Sequence, residues 1–246
     1  MSQVSIVTIT QYSRFACLKN LYHLIQRQEY FQIKEWIIVE GSQHLDLHKE
    51  NINRIQDFIS EKEIQTDIEM RLIQNETGNI ISLSNLRNLG NDNCLGDIII
   101  CMDDDDYYPS CYIPNIVEKF NKYDRLLAGC SAMYMYDYIS NKLYKYKGYH
   151  NNHSTNSCMA YRREYLKDHR YNDGLLMAEE YGFTNGFTEP MIQIQPEKSV
   201  ILSIHNSNTV SKVVENDYIS EIVDKNISDM IPKEIFERMR SIFTSI

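Results

Sequence analysis

Four short apolar runs in the first 103 residues are separated by three segments with helical spacing. The runs at 4–10, 35–40, 68–74 and 97–103 are predicted strands, and the segments 15–28, 51–60 and 80–93 are predicted helices. This alternation is typical of an α/β fold with a mostly parallel central sheet flanked by helices. In that class, ligands bind beyond the carboxyl ends of the strands. We therefore expect Thr10, Glu40 and Asp103, which end three of the runs, to face one crevice.

The run at 97–103 leads into four consecutive aspartates, 103–106. Adjacent carboxylates repel one another, so the cluster indicates either a solvated acidic loop or a bound cation. Carboxylates at a strand end suit Mn²⁺ or Mg²⁺ when phosphate oxygens complete the coordination. A calcium-binding EF-hand is excluded, because its sixth and twelfth positions would be Tyr108 and Pro114 rather than glycine and glutamate.

Net charge, glycine positions and the lengths of the apolar runs argue against several classes of function. A net charge of −9 argues against a nucleic-acid partner. The first glycine is Gly41, so the first strand is not followed by a glycine-rich phosphate loop. No apolar run is long enough for a membrane span, and the first ten residues do not resemble a signal peptide. We therefore expect a soluble, cytoplasmic protein whose six cysteines are reduced core residues.

The pattern changes after Pro109. A helix is predicted at 112–122, a strand at 125–132 and a small antiparallel hairpin at 133–149. A C-terminal helix is predicted from Asp229 and Pro232, with apolar residues at helical spacing. Its apolar positions are Ile231, Ile235, Met239 and Ile242. That helix either packs on the domain or forms a homodimer contact.

Six segments, in order, resemble the GT-A-fold glycosyltransferases, particularly the inverting family 2. They are "VSIVTITQYSR" (4–14), "VEGS" (39–42), "LRNLG" (86–90), "MDDDDYYP" (102–109), "AEEYG" (178–182) and "IHNSNT" (204–209). The chain departs from the family pattern where Ile9 replaces a proline and where Glu40 and Glu180 each replace an aspartate. One extra residue also precedes Arg14.

The resemblance implies a role for each candidate residue. The nucleotide would be bound by Thr8, Thr10, Glu40, Arg71, Arg87, Asp103 and Asp104. The metal, Mn²⁺ or Mg²⁺, would be bound by Asp105 and His205. Spacing leaves Asp104 and Asp106 open as ligands in place of Asp105, and a structural role is the alternative for His205. Glu180 would be the catalytic base, with Glu179 supporting it or contacting the acceptor. For both arginines a surface salt bridge is the alternative, and for the two glutamates it is a solvated helix start.

The predicted protein is thus a GT-A-type (Rossmann-like) glycosyltransferase that transfers a sugar from a nucleotide-sugar, preferably a UDP-sugar, to a glycan or other hydroxyl acceptor with inversion. We expect one domain over 1–246, with a nucleotide-sugar half (1–110), an acceptor and catalytic half (111–210) and a C-terminal helical extension (211–246). Two alternatives stay open, a metal-dependent phosphotransferase or phosphatase and a non-catalytic sugar- or nucleotide-binding module.

Overall fold

The computed structural model describes residues 1–74, 81–208 and 220–245, which form two β-sheets and the helices packed on them. The strands are β1 Val4–Thr10, β2 Ile33–Glu40, β3 Glu69–Ile73, β4 Ile98–Cys101, β5 Leu127–Gly129, β6 Met133–Asp137, β7 Lys142–Tyr146, β8 Ala160–Arg162, β9 Met191–Gln193, β10 Ile201–Ile204 and β11 Ser220–Ile222. The α-helices are α1 Phe15–Gln26, α2 Leu45–Lys62, α3 Leu83–Asp92, α4 Tyr112–Lys122, α5 Glu180–Phe183 and α6 Lys233–Phe243.

The larger sheet has the order β3-β2-β1-β4-β8-β5-β9, and its first four strands run parallel. Strand β8 is antiparallel to both of its neighbours. The predicted α/β class with a mostly parallel sheet is therefore confirmed. The second predicted helix, 51–60, is longer than expected, since α2 extends over Leu45–Lys62. Two parts of the predictions lie outside the described residues. They are Ile80, the first apolar position of the third predicted helix, and residues 211–219 of the predicted C-terminal extension.

Strand β4 is buried on both faces, as its continuous apolar sequence predicts. Ile98 and Ile100 belong to one hydrophobic cluster, whereas Ile99 and Cys101 belong to the cluster on the opposite face. All four are at most 1% exposed. Because side chains alternate across a strand, this burial fixes the register of β4 and hence the position at which the aspartates leave the sheet.

Helix α3 lies close against β1 and β2. The Ser82 hydroxyl accepts a hydrogen bond from the Asn85 backbone N–H, which caps the start of the helix. Gly90 allows the close approach, since a Cβ there would lie 2.7 Å from Cγ1 of Val7. Arg87, one turn before Gly90, is thereby brought to the end of the sheet.

The predicted hairpin is confirmed as β6-β7, but it is part of a second sheet with the order β10-β6-β7-β11. Tyr107 links this sheet to the aspartate run by exchanging two backbone hydrogen bonds with Ile201, at 3.1 and 2.9 Å. Since β10 ends at Ile204, the link brings His205 next to the aspartates.

Helix α6 buries its apolar face within the chain, with Ile235, Met239 and Phe243 at most 6% exposed. A homodimer contact through this helix stays a prediction. Within the described ranges, no helix combines the length and the apolar character needed to cross a bilayer. All six cysteines are free. Five of them are buried, as predicted, whereas Cys111 is half-buried and does not belong to the core.

Candidate functional site

A pocket of about 360 Å³ opens at the carboxyl ends of β1, β2 and β4. Its polar lining includes four residues that the sequence predicted for the site, Thr10, Arg87, Asp103 and Asp105. The remaining lining residues are Ile9, Gln11, Arg14, Gly41, Gln43, Leu83, Leu86, Leu176 and Asn208. The pocket thus lies where ligands bind in open α/β sheets.

The outer two aspartates of the run make unrelated contacts. Asp103 accepts hydrogen bonds from both terminal nitrogens of Arg87, each at 3.2 Å, and its side chain is 29% exposed. Asp106 is 1% exposed and accepts a 2.8 Å hydrogen bond from the Ser203 backbone N–H. Asp103 therefore faces the pocket, whereas Asp106 attaches the run to β10.

The inner two aspartates share Arg14. Its Nη1 lies 3.1 Å from Oδ1 of Asp104 and 3.0 Å from Oδ2 of Asp105. Thr10 donates a 2.7 Å hydrogen bond to the second oxygen of Asp104. Burial raises the pKa of Asp104, and Arg14 opposes this shift. The neighbouring carboxylate of Asp105 raises the pKa of Asp104 further. Much of the predicted repulsion is thus offset by a side chain of the protein itself.

Arg14 was not among the predicted site residues, although it ends the first family-like segment. The 3₁₀ helix Tyr12–Arg14, just after β1, brings its side chain to Asp104, which lies 90 positions further along the chain. Its place just beyond a strand end, at the last position of that family-like segment, is the signal that could have indicated this role.

Asp105 also faces the end of β10. Its Oδ2 lies 3.2 Å from Nε2 of His205 and 3.1 Å from Nδ2 of Asn208. The other ring nitrogen of His205 lies 2.9 Å from the Ser207 hydroxyl, which orients the imidazole. The two predicted metal ligands are therefore brought together.

Among the described residues, no group of three or more His, Cys, Asp and Glu side chains is placed to hold a metal. Asp105 and His205 nonetheless provide one oxygen and one nitrogen donor, a pair that suits Mn²⁺. Divalent cations in nucleotide sites commonly take only one or two protein ligands and complete their shell with phosphate oxygens and water. The residues fit a metal that is shared with a bound diphosphate.

Arg87 joins the aspartate run to the predicted catalytic segment. Its Nε donates a 3.1 Å hydrogen bond to Glu179, which also accepts a 2.9 Å hydrogen bond from the Asn156 amide. Asn156 in turn accepts a hydrogen bond from the Tyr171 hydroxyl. Arg87 and Glu179 are each at most 5% exposed. Buried charges of this kind persist only when paired, so Glu179 holds Arg87 in place against Asp103.

Glu180 differs from Glu179 in having no side-chain partner within the described part of the chain. Burial raises its pKa to about 7, and the neighbouring Glu179 carboxylate adds to the shift. Ala178, just before the pair, has a left-handed φ of 53°. Such backbone conformations are uncommon for residues other than glycine and concentrate at functional sites.

Two of the predicted nucleotide-binding residues lie away from the pocket. Thr8 is fully buried, donates a 2.8 Å hydrogen bond to the Met102 carbonyl and accepts one from the Trp36 indole N–H. Arg71 forms a 2.9 Å ion pair with Glu35, near the start of β2 and thus at the opposite edge of the sheet. Both side chains contact residues of the sheet. The ion pair of Arg71 corresponds to the salt bridge predicted from the sequence as the alternative to nucleotide binding.

Glu40 also contributes to the fold rather than to the pocket lining. It is 1% exposed and accepts 3.0 Å hydrogen bonds from the Ser42 backbone N–H and the Asn51 amide. The Ser42 hydroxyl and His48 contact it as well. The longer glutamate side chain reaches α2, so both of its oxygens are engaged there.

Sequence reasoning also missed the non-acidic side of the pocket. Ile9, Leu83 and Leu86 form apolar walls, and the amide side chains of Gln11 and Gln43 line the same space. No motif marks these residues, because apolar and amide side chains are common at any strand end.

Comparisons with known proteins support the predicted family and fold. The sequence model of glycosyl transferase family 2 matches residues 5–170. A comparison with curated protein sequences found no match. The structure of S. aureus TarS 1–349 in complex with UDP-GlcNAc aligns with a TM-score of 0.63 and 13% identity, covering 98% of this chain and 65% of that one.

The mannosyltransferase PcManGT from Pyrobaculum calidifontis, in complex with GDP-Man and Mn²⁺, aligns with a TM-score of 0.61 and 12% identity over 84% of this chain and 58% of its own. The chain thus spans less than two thirds of the length of either protein. At these identities the likeness shows a shared fold.

Proposed function

The chain belongs to glycosyl transferase family 2, as the motif resemblance predicted, and from that premise we propose that it is a metal-dependent, inverting glycosyltransferase. It would transfer a sugar from a nucleotide-sugar, preferably a UDP-sugar, to a hydroxyl acceptor. We keep the predicted division into a donor half (1–110), an acceptor and catalytic half (111–210) and a C-terminal extension (211–246).

The donor diphosphate would lie beside Asp105 and Arg14. Asp105 and His205, 3.2 Å apart, would hold Mn²⁺ or Mg²⁺. When bound, the metal stabilises the negative charge that develops on the departing diphosphate. Arg14 lines the same pocket and contributes a permanent positive charge there.

The nucleoside would occupy the less acidic side of the pocket. Ile9 and Leu86 offer apolar surfaces for a flat ring, and Gln11 and Gln43 offer amide donors and acceptors for its edge. Asp103, which Arg87 holds at 3.2 Å, would accept hydrogen bonds from the ribose hydroxyls. UDP-GlcNAc in one structural neighbour favours a uridine donor, whereas GDP-Man in the other makes guanosine the alternative to test.

Transfer with inversion needs a base that takes the proton of the acceptor hydroxyl as its oxygen attacks the anomeric carbon. Glu179 is engaged by Arg87 and Asn156 and cannot easily serve. Among the residues that the structure describes, Glu180 has no side-chain partner, and its pKa of about 7 suits proton transfer near neutral pH. This contrast between neighbouring glutamates is the observation that carries the proposal.

The experiment incubates the protein with Mn²⁺ and a panel of UDP- and GDP-sugars and measures release of the free nucleotide. We expect slow release from one donor, and NMR of the sugar product should show inverted anomeric configuration. Asp105→Asn should abolish metal-dependent nucleotide binding, whereas Glu180→Gln should preserve binding and lose turnover.

Glu237→Gln, at a 63% exposed side chain on α6, is the matched control and should change neither property. If no nucleotide-sugar binds in the presence of metal, the proposal fails. Phosphate release from simple phosphoesters would support a phosphatase instead, and binding without turnover would support a non-catalytic module.

A further inference from the structure

Five ring side chains form a contiguous surface that the proposed chemistry does not use. This aromatic patch consists of Tyr149, His150, His153, Tyr181 and Phe187. Phe187 is at its centre, with ring centroids 4.9 Å from His153, 5.9 Å from His150 and 5.7 Å from Tyr181. Tyr149 packs edge-on against His153 at 4.9 Å. Tyr149 and Tyr181 are 64% and 62% exposed, whereas His153 is 7% exposed, so Tyr149, His150 and Tyr181 form the solvent-facing part of the patch.

The backbone holds Phe187 in place against its own preference. Asn185, Gly186 and Phe187 have φ values of 50°, 70° and 58°, all in the left-handed region. For a bulky residue such as Phe187 this conformation is a genuine outlier. The turn is tied to α5, because the Gly186 backbone N–H donates a 2.7 Å hydrogen bond to the Tyr181 carbonyl and the Phe187 N–H bonds Thr184. Strain that the fold maintains in this way is typical of ligand-binding positions.

The patch is built from the same two segments as the proposed catalytic centre. Tyr181 directly follows Glu180 in α5. His153 lies three residues before Asn156, whose amide donates a 2.9 Å hydrogen bond to Glu179. A ligand on the patch would therefore lie on the segments that position the proposed base, on the acceptor side of the chain.

The chemistry of the patch selects a class of ligand. Burial lowers the pKa of His153 to about 4, with His150 adding to the shift, so this ring is neutral near pH 7. None of the five residues carries a carboxylate, an ammonium or a guanidinium group. Aromatic rings pack against the C–H faces of a sugar ring, while the tyrosine hydroxyls and the exposed His150 imidazole can hydrogen-bond its hydroxyls. Contiguous exposed apolar patches on a protein surface mark binding sites.

We infer that the aromatic patch binds the acceptor, and that the acceptor is an uncharged saccharide rather than an acidic one. The inference rests on the proposed transferase function and adds the acceptor class to it. The proton lost from the saccharide hydroxyl passes to Glu180, the new bond forms between that oxygen and the anomeric carbon of the donor, and the nucleoside diphosphate leaves.

The experiment applies the protein to an array of neutral and acidic oligosaccharides and compares wild type with Tyr149→Ala, Tyr181→Ala and Tyr123→Ala. We expect wild type to bind neutral glycans, and each of the two patch variants to bind them at least fivefold more weakly. Tyr123 is 42% exposed at the end of α4 and has no ring contact with the patch, so its variant is the control and should bind like wild type. Because both patch tyrosines are largely exposed, their variants should keep the wild-type melting temperature.

Mn²⁺–UDP and Mn²⁺–GDP binding, measured by thermal shift on the same samples, separates the two proposals. If wild type binds neither nucleotide, the proposed function fails. If it binds a nucleotide but no neutral glycan, or if the patch variants bind glycans like wild type, the transferase proposal stands and the saccharide inference is overturned. Exclusive binding of acidic glycans would overturn the inference as well.

Discussion

The ring of Phe243 lies parallel to the imidazole of His205, with ring centroids 4.2 Å apart and planes 7° apart. Phe243 is in the last turn of α6, and His205 directly follows β10. The C-terminal helix therefore restrains the orientation of one of the two proposed metal ligands, although it is remote from the pocket in sequence.

Phe243→Leu should weaken Mn²⁺ binding about tenfold, because groups that orient a ligand typically contribute that much to metal affinity. The measurement is a Mn²⁺ titration followed by electron paramagnetic resonance of the free ion. Phe236→Leu is the control on the same helix, since Phe236 stacks on Tyr138 and not on His205. Equal Mn²⁺ affinities for the two variants would contradict the role of Phe243.

The pKa of Glu180 predicts the pH dependence of turnover. A base must be deprotonated, so kcat should fall below pH 7, by about tenfold per pH unit. Because the Glu179 carboxylate contributes to the raised pKa of Glu180, Glu179→Gln should move this decline to lower pH. A pH–rate profile of both proteins with the active donor checks the prediction. An unchanged midpoint in Glu179→Gln would remove the support for Glu180 as the titrating group.

Arg14→Met should destabilise the fold by about 3 kcal/mol, because it leaves two buried carboxylates without their cation. Added Mn²⁺ should raise the melting temperature of this variant more than that of wild type, since the metal would replace part of the lost charge. Arg170→Met removes an exposed ion pair with Asp92 and should cost less than about 1 kcal/mol. Denaturant unfolding in EDTA and in Mn²⁺ gives both comparisons, and similar losses for the two variants would count against the prediction.

Glu40→Ala should lower the free energy of unfolding by about 2 kcal/mol, because the buried Asn51 amide and the Ser42 N–H lose their acceptor. It should leave UDP affinity nearly unchanged. Gln43→Ala should do the reverse, with stability unchanged and UDP affinity reduced about fivefold, as expected for one lost hydrogen bond. Calorimetric UDP titration and denaturant unfolding test both variants. A large loss of UDP affinity in Glu40→Ala with normal stability would restore the family-based role of Glu40.

Hydrophobic patterning alone determined the parallel half of the sheet and the edge at which the site lies. The apolar run of β4 can only be buried on both faces, and parallel strands must end at a common edge. Thr10 and Asp103 could therefore be assigned to this edge from the strand ends alone. Asp105 and Arg87, which line the same pocket, were assigned through the family resemblance.

The partner of each charged side chain was decided only by the tertiary structure. Consecutive aspartates point in different directions, and their partners come from distant segments, with His205 lying 100 positions from Asp105. Arg14 offsets charge that the sequence assigned to a cation, and Glu40 and Arg71 find partners within the fold. The hydrophobic pattern of a sequence indicates which face of a single helix or strand is buried. Ion pairs depend instead on how several helices and strands pack together. The sequence therefore located the site, and the packing determined which residues compose it.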